Sequence, residues 1–457
     1  MANDPVRTAG TLTGARLPLS LEQRGYLGLG RKGYGTIAAC SDITGPVRID
    51  VLNDAVREVV RRHEPLRMRM RHDAEGAGQF FVDPDLVPAQ WEVVPVPAGY
   101  DLDDHLGREL DPQRDGAIRL LMLKDGEDHA FALALLDHMA CDGFGARVFL
   151  SDLWLAYRAI AAGGRPALPP LTRTYADHIR AQQAAAGRAE RVRGSWEALA
   201  ERFARSATGL PGPRGQAEAG RGRSDIAAVV QPEHARRAGE LARALGVSPN
   251  TLPLAGLVLA AASIAERDSV GISFIYAGRD VAGSKSLVGA FHRHVALLTE
   301  RITEGTLGEF VSGVSRGVFE ALRRSRAPYS ASDFDAAVRS HRDTPVVDVL
   351  YNQVSEFFGR PGDSEPLKVD DHTAVTFPGV HFRPARWRSY QEPRLRMVAG
   401  GGAQPVLRLI FNQGLVAEDH ARLLLDRTLA MLESMTPEAA GSRVPEFISS
   451  AIARRDA

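Results

Sequence analysis

Leu135-Leu136-Asp137-His138-Met139-Ala140-Cys141-Asp142-Gly143 is the stretch whose reading decides the fold of this chain. The apolar run Phe131–Leu136 has the length of a buried strand, and it delivers a histidine into a short polar turn that ends in Asp-Gly. From Phe144 a second apolar pattern continues at helical spacing through Val148, Leu153, Trp154 and Tyr157. Strand, turn and helix in that order present one side chain to a cleft on rigid supports. The rest of the chain is read for what could face His138.

Working outward, strand and helix patterns intermix on both sides. Upstream, Ser20 is placed to cap a helix entered from Leu17-Pro18-Leu19, and Ile49–Arg62 puts Leu52, Val56, Val59 and Val60 on one helical face. Pro65 stops that helix, and short strands are expected from Met68, over Gln79–Asp83, Trp91–Val96 and Ile118–Leu123, with a helix over Leu102–Leu110. Downstream, helices are expected from Tyr175 and around Trp196, Leu199 and Phe203. The Gly/Pro-rich stretch Gly209–Gly215 and the run Gly220-Arg221-Gly222-Arg223 read as a linker. Beyond it follow a strand at Ile226–Val230, helices at Pro232–Leu245 and Leu252–Ile264, strands at Val270–Tyr276, Val346–Val354 and Val406–Phe411, and a helix at Ala417–Leu432. The expectation is therefore an α/β protein with an N-terminal lobe over 1–205, a linker over 206–224 and a C-terminal lobe over 225–457.

At 457 residues the chain exceeds what one core usually takes. Lys+Arg and Asp+Glu balance at 56 each, which argues against nucleic acid or an anionic membrane as partner. Lys32, Lys124, Lys285 and Lys368 are the lysines; arginine, which cannot act as a base, carries the remaining positive charge. Cys40 and Cys141 are too few for a disulfide framework or a structural zinc site. With neither a membrane-length apolar run nor a basic-then-apolar leader, a soluble, cytoplasmic protein is expected.

Taken in order, the motifs resemble those of the condensation domains of nonribosomal peptide synthetases and their carrier- or CoA-dependent acyltransferase relatives. Asp137-His138-Met139-Ala140-Cys141-Asp142-Gly143 is similar to that family's His-His-x-x-x-Asp-Gly, with Asp137 in place of the first histidine. Pro18-Leu19-Ser20-Leu21-Glu22-Gln23 resembles its Pro-Leu-Ser-x-x-Gln, and Arg62-His63-Glu64-Pro65-Leu66-Arg67 its Arg-His-Glu-x-Leu-Arg. Tyr175-Ala176-Asp177, Ala277-Gly278-Arg279 and Val288-Gly289-Ala290-Phe291 resemble its Tyr-x-Asp, Gly-Arg and Gly-x-Phe-Val-Asn-Thr segments, with Arg293 where the family usually has asparagine. The resemblance implies two chloramphenicol-acetyltransferase-like lobes in a V with a substrate tunnel between them. Because one two-lobed unit accounts for the chain, a free-standing condensation enzyme without an attached adenylation or carrier segment is expected.

Joining an acyl thioester to an amine or alcohol requires two substrates held in line, removal of the nucleophile's proton and help for the oxyanion. His138 is the expected base, because imidazole is partly neutral near neutral pH; the bland alternative is a satisfied core histidine at a strand end. The resemblance implies that Asp142 pairs with Arg279 as a strut for the turn, and Gly143 allows close backbone approach and an N–H for the oxyanion. Asp137 is expected to face away from His138, because successive side chains in an extended segment alternate, and so to support the loop. Asn352 and Arg293 are candidate tunnel-lining residues, Arg293 otherwise being structural. A Cys141–His138 dyad is disfavoured by the turn around Cys141, and His292-Arg293-His294 lacks a third metal ligand. Gly400-Gly401-Gly402 lacks the context of a phosphate loop and reads as a hairpin or flexible turn.

The expected function is condensation of a carrier-bound acyl or aminoacyl thioester with a small-molecule amine or alcohol in secondary-metabolite (antibiotic) biosynthesis. An acyl or peptidyl carrier protein is the partner, its phosphopantetheine arm the donor handle, and no other cofactor or metal is expected. Two alternatives are an acyl-CoA-dependent acyltransferase and a non-catalytic module that recruits other proteins to an assembly line.

Overall fold

The computed structural model describes residues 16–28, 36–74, 76–97, 110, 116–185, 187–206, 223–326, 331–342, 348–353, 367–370, 373–376, 395–400 and 405–456. The helix expected over Leu102–Leu110, most of the linker, and Gly401-Gly402 lie outside the described residues. In chain order the first elements are β1 (Leu17–Pro18), α1 (Leu21–Gly28), β2 (Thr36–Thr44), α2 (Ile49–Arg62), β3 (Met68–Asp73), β4 (Gly76–Phe81), β5 (Glu92–Pro95), β6 (Ile118–Lys124), β7 (His129–Asp137), α3 (Gly143–Ala161) and α4 (Tyr175–Ala185). Then come α5 (Gly187–Arg205), β8 (Arg223–Val229), α6 (Pro232–Leu245), α7 (Thr251–Ala265), β9 (Ser269–Tyr276), β10 (Arg293–Glu300), α8 (Leu307–Ser325), α9 (Ala331–Ser340) and β11 (Val349–Gln353). The last are β12 (Leu367–Lys368), β13 (Ala374–Thr376), β14 (Leu395–Gly400), β15 (Val406–Asn412), α10 (Glu418–Ser434) and α11 (Val444–Asp456).

Two compact units divide the chain, and neither is one continuous stretch. The first takes residues 1–184, 277–292 and 362–385; the second takes 185–276, 293–361 and 386–457. The compact units change over at 184/185, whereas composition set the expected linker over 206–224. Helix α5, read from sequence as part of the N-terminal lobe, buries Trp196, Leu199 and Phe203 against Ala296 and Phe334 of the second unit. An amphipathic helix goes where its apolar face is covered, whatever the composition of the segment after it. Two later segments return to the first unit, which no local pattern announces.

In the first unit, β7 lies inside a mixed six-stranded sheet of order β12-β13-β2-β7-β6-β5, antiparallel to both β2 and β6. Its near-continuous burial follows from cover on both faces. Leu133 and Leu135 pack with Cys40, Leu121 and Leu123 on one side. Ala132, Ala134 and Leu136 face Leu52, Val56, Phe149, Leu153 and Trp154 of α2 and α3 on the other. Burial among these groups pushes the Cys40 thiol up to about 12. The partner strand β2 escaped the sequence reading because Thr36, Ser41, Asp42 and Thr44 break its apolar run. A small sheet of order β1-β4-β3 completes the unit's strands.

The second unit holds a six-stranded sheet of order β10-β9-β11-β14-β15-β8, with β11 parallel to β9 and β14 and the other pairs antiparallel. Its core includes the largely apolar helix α7 and one face each of α8 and α10. Gly400 ends β14 opposite Val406 of β15. Among the described residues no helix is long and apolar enough to cross a membrane.

Candidate active site

Strand β7 runs to Asp137 and the turn begins at His138. Strict side-chain alternation therefore stops one residue short of the histidine, and hydrogen bonds set the turn instead. The Asp137 carbonyl accepts from the N–H groups of Ala140 (2.9 Å) and Cys141 (3.0 Å). Its carboxylate accepts from Met139 N–H at 2.7 Å. Aspartate at this position wraps the turn around itself, in the manner of Asx turns. Gln23 grips the same turn from α1, donating from Nε2 to the Met139 carbonyl at 2.9 Å. Gln23 is itself fixed: its N–H reaches Ser20 Oγ at 3.1 Å, its Oε1 accepts from Ser20 N–H at 2.8 Å, and Gln79 bonds its amide. That is a capping box, with glutamine at its third helical position.

Asp142 caps α3 by accepting from Gly145 N–H at 2.7 Å. The same Oδ1 accepts from Arg279 Nη2 at 2.8 Å, and Oδ2 accepts from Phe291 N–H at 2.9 Å. The structure thus brings Asp142 and Arg279 together as a buried pair, with their side chains 3% and 2% exposed. The guanidinium lies between the rings of Phe144 and Phe291, 4.5 and 4.3 Å from their centroids, a cation–π arrangement. Its other bonds go to the carbonyls of Ser284 (2.6 Å), Leu287 (2.8 Å) and Gly289 (3.3 Å).

These contacts show why motifs scattered along the sequence belong together: they are the ligands of one backbone segment, Leu287–Phe291. Besides Arg279 and Asp142, His63 Nδ1 accepts from Val288 N–H at 3.3 Å, and Tyr175 donates its hydroxyl to the Ala290 carbonyl at 3.1 Å. A Cβ on Gly289 would stand 2.6 Å from Phe291 and 2.7 Å from Tyr175, so the close approach needs glycine. Glu64 accepts from the N–H of Ala176 at 2.8 Å, and Asp177 closes a capping box with Thr174 at the start of α4.

His63 is buried, and its Nε2 bonds Asp152 Oδ2 at 2.8 Å. Because Nδ1 accepts from Val288, Nε2 carries the proton. Burial holds this imidazole below its ordinary value, outweighing the opposing pull of Asp152. The neutral form is thus the folded form, and its stabilisation is complete above the unfolded value of about 6.5 and is lost as pH falls toward the depressed folded value. Between pH of about 7.5 and 5.5 the unfolding free energy is expected to fall by up to about 1.4 kcal/mol per unit below 6.5, and by less in His63→Gln. Denaturant titrations of both proteins at the two pH values measure this difference.

His138 is half-buried, and two rings surround it. Tyr26 of α1 lies 4.9 Å away and His292 lies 5.1 Å away, centroid to centroid. Sequence reading weighed His292 only as a metal ligand with His294 and did not single out Tyr26. One signal was available: counted along Gly-x-Phe-Val-Asn-Thr, His292 occupies the valine position, where an imidazole has no packing reason to be. Gly143 is the first residue of α3, where backbone N–H groups lack intrahelical acceptors. Cys141 is fully buried, its Sγ donates to the Asp142 carbonyl at 3.2 Å, and burial raises its thiol well above the usual range. A thiol so raised is a poor nucleophile.

The remaining candidates lie in the second unit. Arg293 opens β10, and its Nη1 donates to the Ser325 carbonyl at the C-terminal end of α8 at 2.9 Å, a favourable place for a cation. Asn352 sits half-buried on β11, paired with Val398 of β14. Among the described residues no group of three or more His, Cys, Asp or Glu side chains is arranged to hold a metal ion.

Comparison with known proteins agrees with this frame. The condensation-domain family model matches residues 30–354. Phosphinothricin tripeptide synthetase PhsB of Streptomyces viridochromogenes is 26% identical over 363 residues, which cover 76% of this chain and 30% of that protein. The hybrid PKS-NRPS synthetase LUC5 of a Fusarium species is 28% identical over 332 residues, 68% of this chain and 8% of that protein. The chain thus spans only a small part of the length of these relatives. Among solved structures, the X-domain from teicoplanin biosynthesis superposes with a TM-score of 0.74 at 22% identity, over 97% of this chain and 98% of the other. The first condensation domain of the calcium-dependent antibiotic synthetase gives 0.72 at 21% identity, over 94% and 98%. The α/β, chloramphenicol-acetyltransferase-like fold expected from the sequence is the fold these structures share with it. By the span of the family match and the fold, this chain belongs to the condensation-domain family of nonribosomal peptide synthetases.

Proposed function

We propose that the protein joins a carrier-bound acyl or aminoacyl thioester to an amine or alcohol, with His138 as the base. The observation that carries this reading is the investment around one turn: Asp137, Gln23 and the capped Asp142 each spend buried polar groups on fixing the residues beside His138. A turn carrying a merely structural histidine has no need of such support.

In the proposed reaction the nucleophile attacks the thioester carbonyl while His138 takes its proton. The oxyanion is met by first-turn N–H groups of α3, Gly143 foremost, at the positive end of a 19-residue helix. Collapse breaks the C–S bond, and the proton leaves with the phosphopantetheine thiol, giving amide or ester plus thiol. Asp142 and Arg279 hold the turn to the Leu287–Phe291 segment and touch no reactant.

The donor is tested by presenting one acyl group on a phosphopantetheinylated carrier protein and on CoA, with the same amine acceptor. The carrier is expected to give a kcat/KM at least about tenfold higher, since docking energy aligns the arm. Equal values would make the protein a CoA-dependent acyltransferase. Tight carrier or enzyme binding with no product from either donor would instead support a recruiting module, the reading that the altered Asp137 motivates.

A further inference from the structure

Three rings meet beside the turn. The Tyr26 hydroxyl lies 2.6 Å from His292 Nδ1 and also contacts Nε2. The Tyr26 ring stands 5.1 Å from the His292 ring and 4.9 Å from the His138 ring, and the two imidazoles are 5.1 Å apart at 55°. Each ring therefore touches the other two, in the tilted and edge-on geometries aromatic groups favour. Tyr26 is only 4% exposed, a burial that a phenol tolerates when its hydroxyl is bonded. A hydroxyl can donate and accept, so Tyr26 can hold His292 as imidazole or imidazolium.

The three come from separate parts of the first unit: α1, the turn after β7, and the end of the 277–292 segment. Hydrogen bonds outside the three rings hold these parts together. Gln23 ties α1 to the turn, and Asp142, Arg279, His63 and Tyr175 fix the backbone just before His292. The Asp142 carboxylate, four residues after His138, is committed to Gly145, Arg279 and Phe291.

We propose that Tyr26 and His292 are positioning residues for His138: their mutual hydrogen bond braces a ring pair that fixes the tilt of the His138 imidazole. This rests on His138 as the base. A base acts only while its lone pair points at the proton it removes, and a displacement of about 1 Å can cost on the order of 100-fold in rate. Ring packing restrains that direction.

Tyr26→Phe and His292→Phe each keep a ring and remove the bond. With an acyl-loaded carrier and an amine acceptor, each is expected to lower kcat about 10- to 100-fold with KM within about twofold. The double variant should be no worse than the poorer single, because one brace is lost in all three. A second readout needs no substrate: in protein labelled with 13C at histidine Cε1, the His138 resonance, assigned by its loss in His138→Ala, should shift or broaden in both singles at unchanged melting temperature. Wild-type kcat and an unmoved His138 resonance in both singles would overturn the inference. If His138→Ala itself retained full turnover, the base reading would fall, and the resonance alone would decide whether the brace exists.

Discussion

Replacing Arg279 with leucine is expected to destabilise the protein by about 3–5 kcal/mol, the cost of removing one partner from a buried ion pair. The charge of Asp142 would remain, 3% exposed at its side chain, with no cation beside it. The carbonyls of Ser284, Leu287 and Gly289 would each lose one donor as well. Leucine fills the space between Phe144 and Phe291 but cannot replace the guanidinium's contacts with their faces. Asp142→Asn alone keeps an oxygen for the α3 cap and leaves the arginine bound to three carbonyls, so its cost should be smaller. The double variant Asp142→Asn/Arg279→Leu should be more stable than Arg279→Leu, because the uncompensated charge is gone. Chemical denaturation of the four proteins measures this cycle; additive single effects would mean the pair is not coupled as its geometry indicates.

In His138→Ala, turnover is expected to fall by about 10²- to 10⁴-fold, the usual contribution of one positioned base. The loss should depend on the acceptor. An α-amine, with a pKa near 8, is already partly neutral at physiological pH, whereas an alcohol holds its proton tightly. Ester formation therefore stands to lose more than amide formation. KM for the acyl carrier should change little, since docking and alignment of the arm do not pass through the imidazole.

The sequence made the local elements legible and the pairings between them less so. Ile49–Arg62 was bounded correctly because its apolar face repeats cleanly and Pro65 follows. The strand before His138 was plain because it is buried on both faces. Its neighbour β2 was missed because Thr36–Thr44 mixes small and polar residues, and its pairing with β13 joins residues more than three hundred positions apart. Gly/Pro content marks turns, whereas unit membership is decided by which core covers an apolar face. In the site, the resemblance carried His138, Asp142 and Arg279 as positions. What it could not show is that His63, Asp142, Tyr175 and Arg279 serve one backbone segment, or that Tyr26 and His292 flank the histidine. A hydrogen bond from a side chain to a distant carbonyl leaves no periodic trace in the sequence.

The measurement that tests the central claim most directly is a single-turnover experiment with acyl-loaded carrier and excess alcohol or amine, comparing the wild-type protein with His138→Ala at near-neutral pH. If His138 removes the nucleophile's proton, both products slow in the variant and the ester slows by a distinctly larger factor. Equal slowing in the two reactions, or unchanged rates in either, contradicts the account.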